Sequence, residues 1–238
     1  MQAGITELRQ KAYQLRQAYQ YGEARQLLEE GLSQFKDSPE IWALHYELGK
    51  NHQENFEMDK ALQHYQQAIS QLLLSGGGAS VLLGRLYTAC GLVYQDEGLE
   101  AEAIQYHHRA VEVLRQVPEE EGVLFLASNL KYLGELYREK GALAESREHY
   151  RPALSLLQQR LGKGEGFLYL EAVTVALQLA AVELELLMRG KINRPQSVHQ
   201  LLKGASAWIQ QLDGEDSIVA QRQEDLGRLS LMLKKLSA

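Results

Sequence analysis

The stretch YLGELYREKGALAESREHYRPAL, residues 132–154, sets two glycines, Gly134 and Gly141, and a late Ala153 among alternating charges and rings. Two upstream stretches run parallel to it, ACGLVYQDEGLEAEAIQYHHRAV at 89–111 and ELGKNHQENFEMDKALQHYQQAI at 47–69. Aligned on their small residues, Gly49, Gly91 and Gly134 recur at intervals of 42 and 43, and Ala68, Ala110 and Ala153 keep the same intervals. A ring stands three residues before each of those alanines, in Tyr65, His107 and Tyr150. Between the two small positions lie a turn at Gly98 and Gly141 and a further small residue at Ala61, Ala103 and Ser146, so each unit reads as helix, turn, helix. A fixed period of this length marks stacked supersecondary units. A glycine inside a helix costs up to about 1 kcal/mol relative to alanine, a cost that close approach of two helices offsets. The glycines are therefore read as architectural.

The pattern resembles the tetratricopeptide repeat, whose first helix carries Leu-Gly followed by Tyr three residues on and whose second carries Ala, a ring and Ala; LGELY at 133–137 and CGLVY at 90–94 carry the likeness. The longer period resembles the subtype of about 42 residues found in kinesin light chains. The resemblance implies an all-α, right-handed α-α superhelix of ten or eleven helices forming one domain. Its expected parts are a degenerate repeat at 5–38, clear repeats at 39–74, 80–117 and 123–161, a divergent helix pair at 167–212 and a capping helix at 215–236. Cys90, Leu133, Tyr94 and Tyr137 should be buried between paired helices. Ser38 is a candidate N-cap with Pro39 in the first turn after it, and either Ser75 or Ser80 is placed to cap the helix that follows the SGGGAS loop at 75–80. Pro152 should kink its helix near Arg151 without ending it, because Leu154, Leu156 and Leu157 continue the apolar pattern.

Composition agrees with a helical protein: of 238 residues only four are proline, 45% are hydrophobic and 24% charged. A net charge of −6 argues against a dedicated nucleic-acid binder, which needs a basic surface to displace counterions. The single cysteine rules out an intramolecular disulfide and fits a reducing, cytoplasmic compartment. The start of the chain has no apolar run behind a basic segment, so no secretory signal is read. FLYLEAVTVALQLAAVELELLM at 167–188 is the most membrane-like segment, but Glu171, Glu183 and Glu185 make a buried core helix the better reading, with no membrane insertion expected.

Candidates for chemistry are weak. SGGGAS lacks the Lys and hydroxyl residue that a phosphate cradle needs at the following helix start. The adjacent His107 and His108 point about 100 degrees apart on a helix, and His45 and His52 share a face without an evident third ligand. Glu119, Glu120 and Glu121 read as a solvated turn after Pro118. No cofactor, metal or catalytic pair is expected, and the chain is read as non-enzymatic.

In tetratricopeptide proteins the first helices of successive units line a concave, ligand-facing surface. That resemblance selects Arg9, Tyr13 and Arg16, then Tyr46, Lys50 and Gln53, then Arg85, Thr88 and Gln95, and finally Lys131, Glu135 and Arg138. Six of these twelve are basic and one is acidic in a chain of negative net charge, which suits an acidic or C-terminal peptide segment of another protein. The carboxylate clamp that grips chaperone tails in some relatives is only partly matched: Arg9 and Arg85 stand for two of its cations, while Tyr13, Glu47 and Ala89 replace other members. The alternative is a structural or regulatory subunit that assembles through its helical faces, self-association included.

Overall fold

The computed structural model describes residues 4–161, 166–212 and 217–236. Within them the chain forms α1 (Ile5–Gln17), α2 (Tyr21–Gln34), α3 (Ile41–Glu54), α4 (Met58–Leu74), α5 (Val81–Asp96), α6 (Glu100–Leu114), α7 (Glu120–Glu139), α8 (Leu143–Gln158), α9 (Gly166–Met188), α10 (Pro195–Ile209) and α11 (Ser217–Leu236). No strand occurs among the described residues. Part of the loop expected at 161–166 and the expected start of the last helix at 215 lie outside them. Two compact units, Met1–Phe125 and Leu126–Ala238, divide the chain, the division falling inside α7.

Among the described residues, five helix pairs close through the same turn, which also follows α4 at Gly76. Tyr19, Phe56, Gly98, Gly141 and Gly190 end α1, α3, α5, α7 and α9 in the left-handed conformation, with φ between 58° and 73°. The next amide in each case donates to a carbonyl five residues back, as in Glu57 to His52 at 2.8 Å and Ala142 to Tyr137 at 2.8 Å, closing a Schellman motif. The degenerate and the divergent pair share this turn, after α1 and after α9. Two of the five turns place a ring-bearing residue where glycine is unstrained. Phe56 is 85% exposed and makes no core contact that a glycine would lose. Phe56→Gly is accordingly expected to stabilise by about 1 kcal/mol, a rise in Tm of about 2–4 °C in a thermal melt.

Inside each clear repeat the glycine of the first helix faces the ring sixteen residues later. A Cβ placed on Gly49 would come within 2.5 Å of the Tyr65 ring, one on Gly91 within 2.7 Å of His107, and one on Gly134 within 2.7 Å of Tyr150. These rings are fully buried, as are Ala61, Ala68, Ala103, Ala110, Ser146 and Ala153 around them. His107 thus takes the packing role of its neighbours' tyrosines. Cys90 and Leu133 are buried as expected, and burial pushes the Cys90 thiol up to about 12, so it is a small core residue and not a thiolate.

Three details depart from the expectation. Tyr94 and Tyr137 are half-buried, because each lies flat on a neighbour in the second helix, Tyr94 on Tyr106 and Tyr137 on His149, with ring centroids 5.2 Å apart in both. Ser38 does not cap α3, which starts at Ile41; its hydroxyl accepts from the Glu40 amide at 3.2 Å. Glu120 and Glu121 form the first turn of α7 and not a separate loop, a place where their charge complements the helix dipole. Ser80 does cap α5, accepting from the Leu83 amide at 3.2 Å, and α8 runs through Pro152 to Gln158.

In the first unit, one cluster of Leu8, Ala12, Leu28, Leu44 and Leu48 joins α1, α2 and α3, and a second of Tyr65, Leu72, Leu83, Leu86 and Val93 joins α4 and α5. In the second unit α9 is central, packing on α8, α10 and α11. With a mean hydropathy of 1.6, α9 is long and apolar enough to cross a membrane, yet 67% of that window is buried within the protein. Its Glu183 is 1% exposed and is held by the Arg151 guanidinium and the Ser197 hydroxyl. α9 is a core helix.

Candidate functional site

In the first unit, α3 and α5 bring five of the sequence-selected residues to one recess of about 260 Å³: Tyr46, Lys50, Gln53, Arg85 and Thr88. Tyr65, Phe125 and Leu92 supply apolar wall and Glu54 the one carboxylate of the lining among the described residues. Arg85 is held between two rings, its guanidinium carbon 5.6 Å from the Tyr46 centroid and 5.4 Å from that of Phe125, and it also donates to the Tyr46 hydroxyl at 3.3 Å. Lys50 lies 5.9 Å from the Tyr46 ring and has no ion pair among the described residues. The ion pair of Arg85 with Glu121 is long, 3.5 Å, and its acid is largely exposed, so solvent screening leaves it weak. The recess therefore offers two cations fixed against aromatic faces.

Several of the selected residues of this unit, two of them in the recess, also have structural duties. Arg16 is only 2% exposed and pairs with Glu47 at 2.8 Å and Glu54 at 3.4 Å, so it is not a surface contact as expected. Glu47 draws it inward, and the same carboxylate takes Arg9 at 3.3 Å. Tyr13 stays exposed beside Arg16. Thr88 is buried and returns its hydroxyl to the Gly84 carbonyl at 2.8 Å. Gln53 accepts from the Tyr65 hydroxyl and Gln95 pairs with His107 Nε2, each at 2.8 Å, so a glutamine four residues after the repeat glycine steadies the ring that faces it.

In the second unit, Lys131 is bound to Glu171 at 2.9 Å; burial works to lower its pKa, but the Glu171 carboxylate prevails and holds it above the ordinary range. Glu135 accepts from Gln178 at 3.1 Å and burial raises its carboxyl above the usual range. Arg138 is exposed and lines a different recess, with residues of α9 and α11. Sequence reasoning missed α11 as a lining element because its apolar spacing alone reads as a cap.

A third histidine joins the pair noted in the sequence. His45 and His64 bring their Nδ1 atoms to 3.2 Å, and His52 stacks on His64 at 5.2 Å while reaching Glu57 at 2.5 Å. Among the described residues no group of three His, Cys, Asp or Glu side chains is arranged to hold a metal ion. Burial first, then the neighbouring imidazoles, pushes His64 down to about 4 from 6.5, and burial lowers His45 as well. The fold thus keeps His64 neutral, whereas the unfolded chain takes up a proton below its ordinary pKa. Stability should be complete above pH 6.5 and fall as pH drops toward 4, with His64 alone accounting for on the order of 2 kcal/mol after allowance for its partial exposure. Urea unfolding at pH 7.5 and 4.5 measures it; His64→Leu should flatten this slope, and an unchanged slope contradicts the assignment.

Helix pairs with small residues set against rings, and with cations and rings on the first helices, have the fold of tetratricopeptide-like repeats. No protein-family profile and no curated sequence matches the chain. Solved structures do. BtubC (BKLC) from P. vanneervenii is similar with a TM-score of 0.72 at 17% identity, over 89% of this chain and 82% of that one. RapI in its apo form gives 0.70 at 12% identity, over 90% of this chain and 55% of its own. Nearly identical TPR-like repeats of a kinesin light chain type from Podosopora anserina give 0.63 at 16% identity, over 86% and 94%. At these identities the likeness establishes the fold.

Proposed function

We propose that the chain is a non-enzymatic interaction module that holds an acidic or carboxylate-bearing peptide segment of a partner protein in the recess between α3 and α5. The observation that carries this reading is the fixing of Arg85 between Tyr46 and Phe125, with Lys50 beside it lacking an ion pair among the described residues. A cation already immobilised against aromatic faces loses little freedom when it meets a carboxylate, so its charge-assisted hydrogen bonds contribute more of their strength to binding. The partner's acid answers Lys50 and Arg85 while an apolar neighbour in the peptide covers Leu92 and Phe125. Fold-level likeness to repeat scaffolds agrees with such a role.

The test is a fluorescence titration with a short acidic peptide and its amide-substituted, uncharged counterpart. Binding of the acidic form should weaken when salt rises from about 0.05 to 0.5 M, as the Debye length shortens roughly threefold, and Lys50→Glu with Arg85→Glu should weaken it at least about a hundredfold. Equal binding of both peptides would refute the reading.

The second reading, assembly through helical faces, is favoured by α11, where Ile218, Leu231, Met232 and Leu236 are exposed. A solution mass that rises with concentration, and no longer does so when Leu231 and Met232 are made polar, would support it.

A further inference from the structure

We infer that the recess bounded by α7, α9 and α11 in the second unit is a separate binding site for a carboxylate carried on a peptide, built by Arg138, Arg222 and Arg228. The recess holds about 400 Å³, enough for a side chain, and Leu177, Leu229 and Met232 give it an apolar wall beside the three guanidiniums.

The repeat itself points to Arg138. Four residues after Gly49 and after Gly91 stands a glutamine that steadies the facing ring, Gln53 for Tyr65 and Gln95 for His107. At the same place after Gly134 stands Arg138, and there the ring is served otherwise, Tyr150 donating its hydroxyl to Gln178 on α9. Arg138 is thereby released from the structural duty of its position. It has no hydrogen bond or ion pair of its side chain among the described residues.

α11 supplies the other two cations and fixes them. Arg222 donates through Nε to the Thr174 hydroxyl and through Nη1 to Asp225, both at 3.2 Å, and Arg228 donates to the other oxygen of Asp225. Asp225 is the only carboxylate of the lining among the described residues. Burial opposes its ionisation, but the hydrogen bonds from Arg228 and Arg222 hold its pKa below the usual range, so it orients two guanidiniums while neutralising one. The neutral polar groups are already engaged: Thr174 donates to the Leu170 carbonyl at 2.9 Å, and Gln178 donates to Glu135 and accepts from Tyr150. What remains toward the cavity is cationic N–H, in the planar geometry that suits a carboxylate. The site stands or falls apart from the recess on α3 and α5.

Two probes separate the sources of such a carboxylate: a short acetylated and amidated peptide with one internal glutamate between leucines, and one with no glutamate but a free C-terminal leucine. A neutral glutamine peptide is the control. NMR titration of the full chain should show saturable shifts at the side-chain N–H groups of Arg138 and Arg228 with at least one carboxylate probe and none with the control, and the probe that saturates identifies the source. Arg138→Glu with Arg228→Glu should weaken that binding at least about tenfold, whereas reversal at Lys50 and Arg85 leaves it unchanged. Arg138→Gln, which restores the residue of the two earlier repeats, gives the same direction of effect with no reversal of charge. Absence of saturation with both probes, equal shifts with the control, or affinity unaltered in both Arg138 variants would overturn the assignment.

Discussion

Glu47→Leu is expected to lower stability by about 3–5 kcal/mol, the largest effect of any single substitution considered for this chain. Arg16 is buried on α1 and its charge is met chiefly by Glu47 at 2.8 Å; its contact with Glu54 at 3.4 Å lacks hydrogen-bond alignment, and neither Nε nor Nη1 has a hydrogen-bond partner. Removing Glu47 strands a guanidinium away from water, and the remaining pull of Glu54 places the result toward the lower end of that range. A chain of this size should lose roughly 6–20 °C in Tm. The double variant Arg16→Met with Glu47→Leu should recover most of the loss, because it is the unpaired charge and not the missing bridge that costs so much. Arg9→Ala, at the half-exposed side of the same carboxylate, should cost under about 1 kcal/mol. Equilibrium urea unfolding of the four proteins decides it, and a double variant as unstable as Glu47→Leu would contradict the mechanism.

Gly134→Leu should destabilise by about 1–3 kcal/mol or more, since even the first added carbon would sit 2.7 Å from the Tyr150 ring. That ring has nowhere to go: it is fully buried and its hydroxyl is tied to Gln178. The helix-propensity gain of replacing glycine, about 1 kcal/mol, is offset and exceeded. Gly227 in α11 offers the opposite case, with nothing within 4 Å of an added Cβ, so Gly227→Ala should stabilise by about 0.5–1 kcal/mol. Thermal midpoints moving apart in these two variants would support the packing account, and an unchanged midpoint for Gly134→Leu would remove it.

The repeat was legible in the sequence because its chemistry is local and obligatory. A ring that fills the space between two helices excludes any side chain opposite it, so Gly49 and Tyr65, Gly91 and His107, and Gly134 and Tyr150 must keep their spacing. The turns after α1 and α3 were less legible, since Tyr19 and Phe56 adopt a conformation that sequence reading assigns to glycine. Helical spacing puts the selected positions of each first helix on one face, yet the fate of its charges could not be read one by one. Whether Arg16 meets solvent depends on Glu47, distant in sequence, and Lys131 is similarly committed to Glu171. Of the six cations in that stripe, Lys50 and Arg138 alone are without an ion pair among the described residues, and the first of these lies in the recess beside Arg85. A basic stripe in sequence becomes a smaller number of available cations once helix neighbours claim the rest.

On the proposed function, Lys50 and Arg85, held against Tyr46 and Phe125, select acidic peptide segments. Selection from a displayed library of random peptides tests it most directly, comparing the wild-type chain with Lys50→Glu/Arg85→Glu at equal helicity. The wild type should enrich peptides rich in Asp and Glu, and the double reversal should lose that enrichment. Enrichment without acidic bias, or the same acidic set recovered by the double reversal, would contradict it.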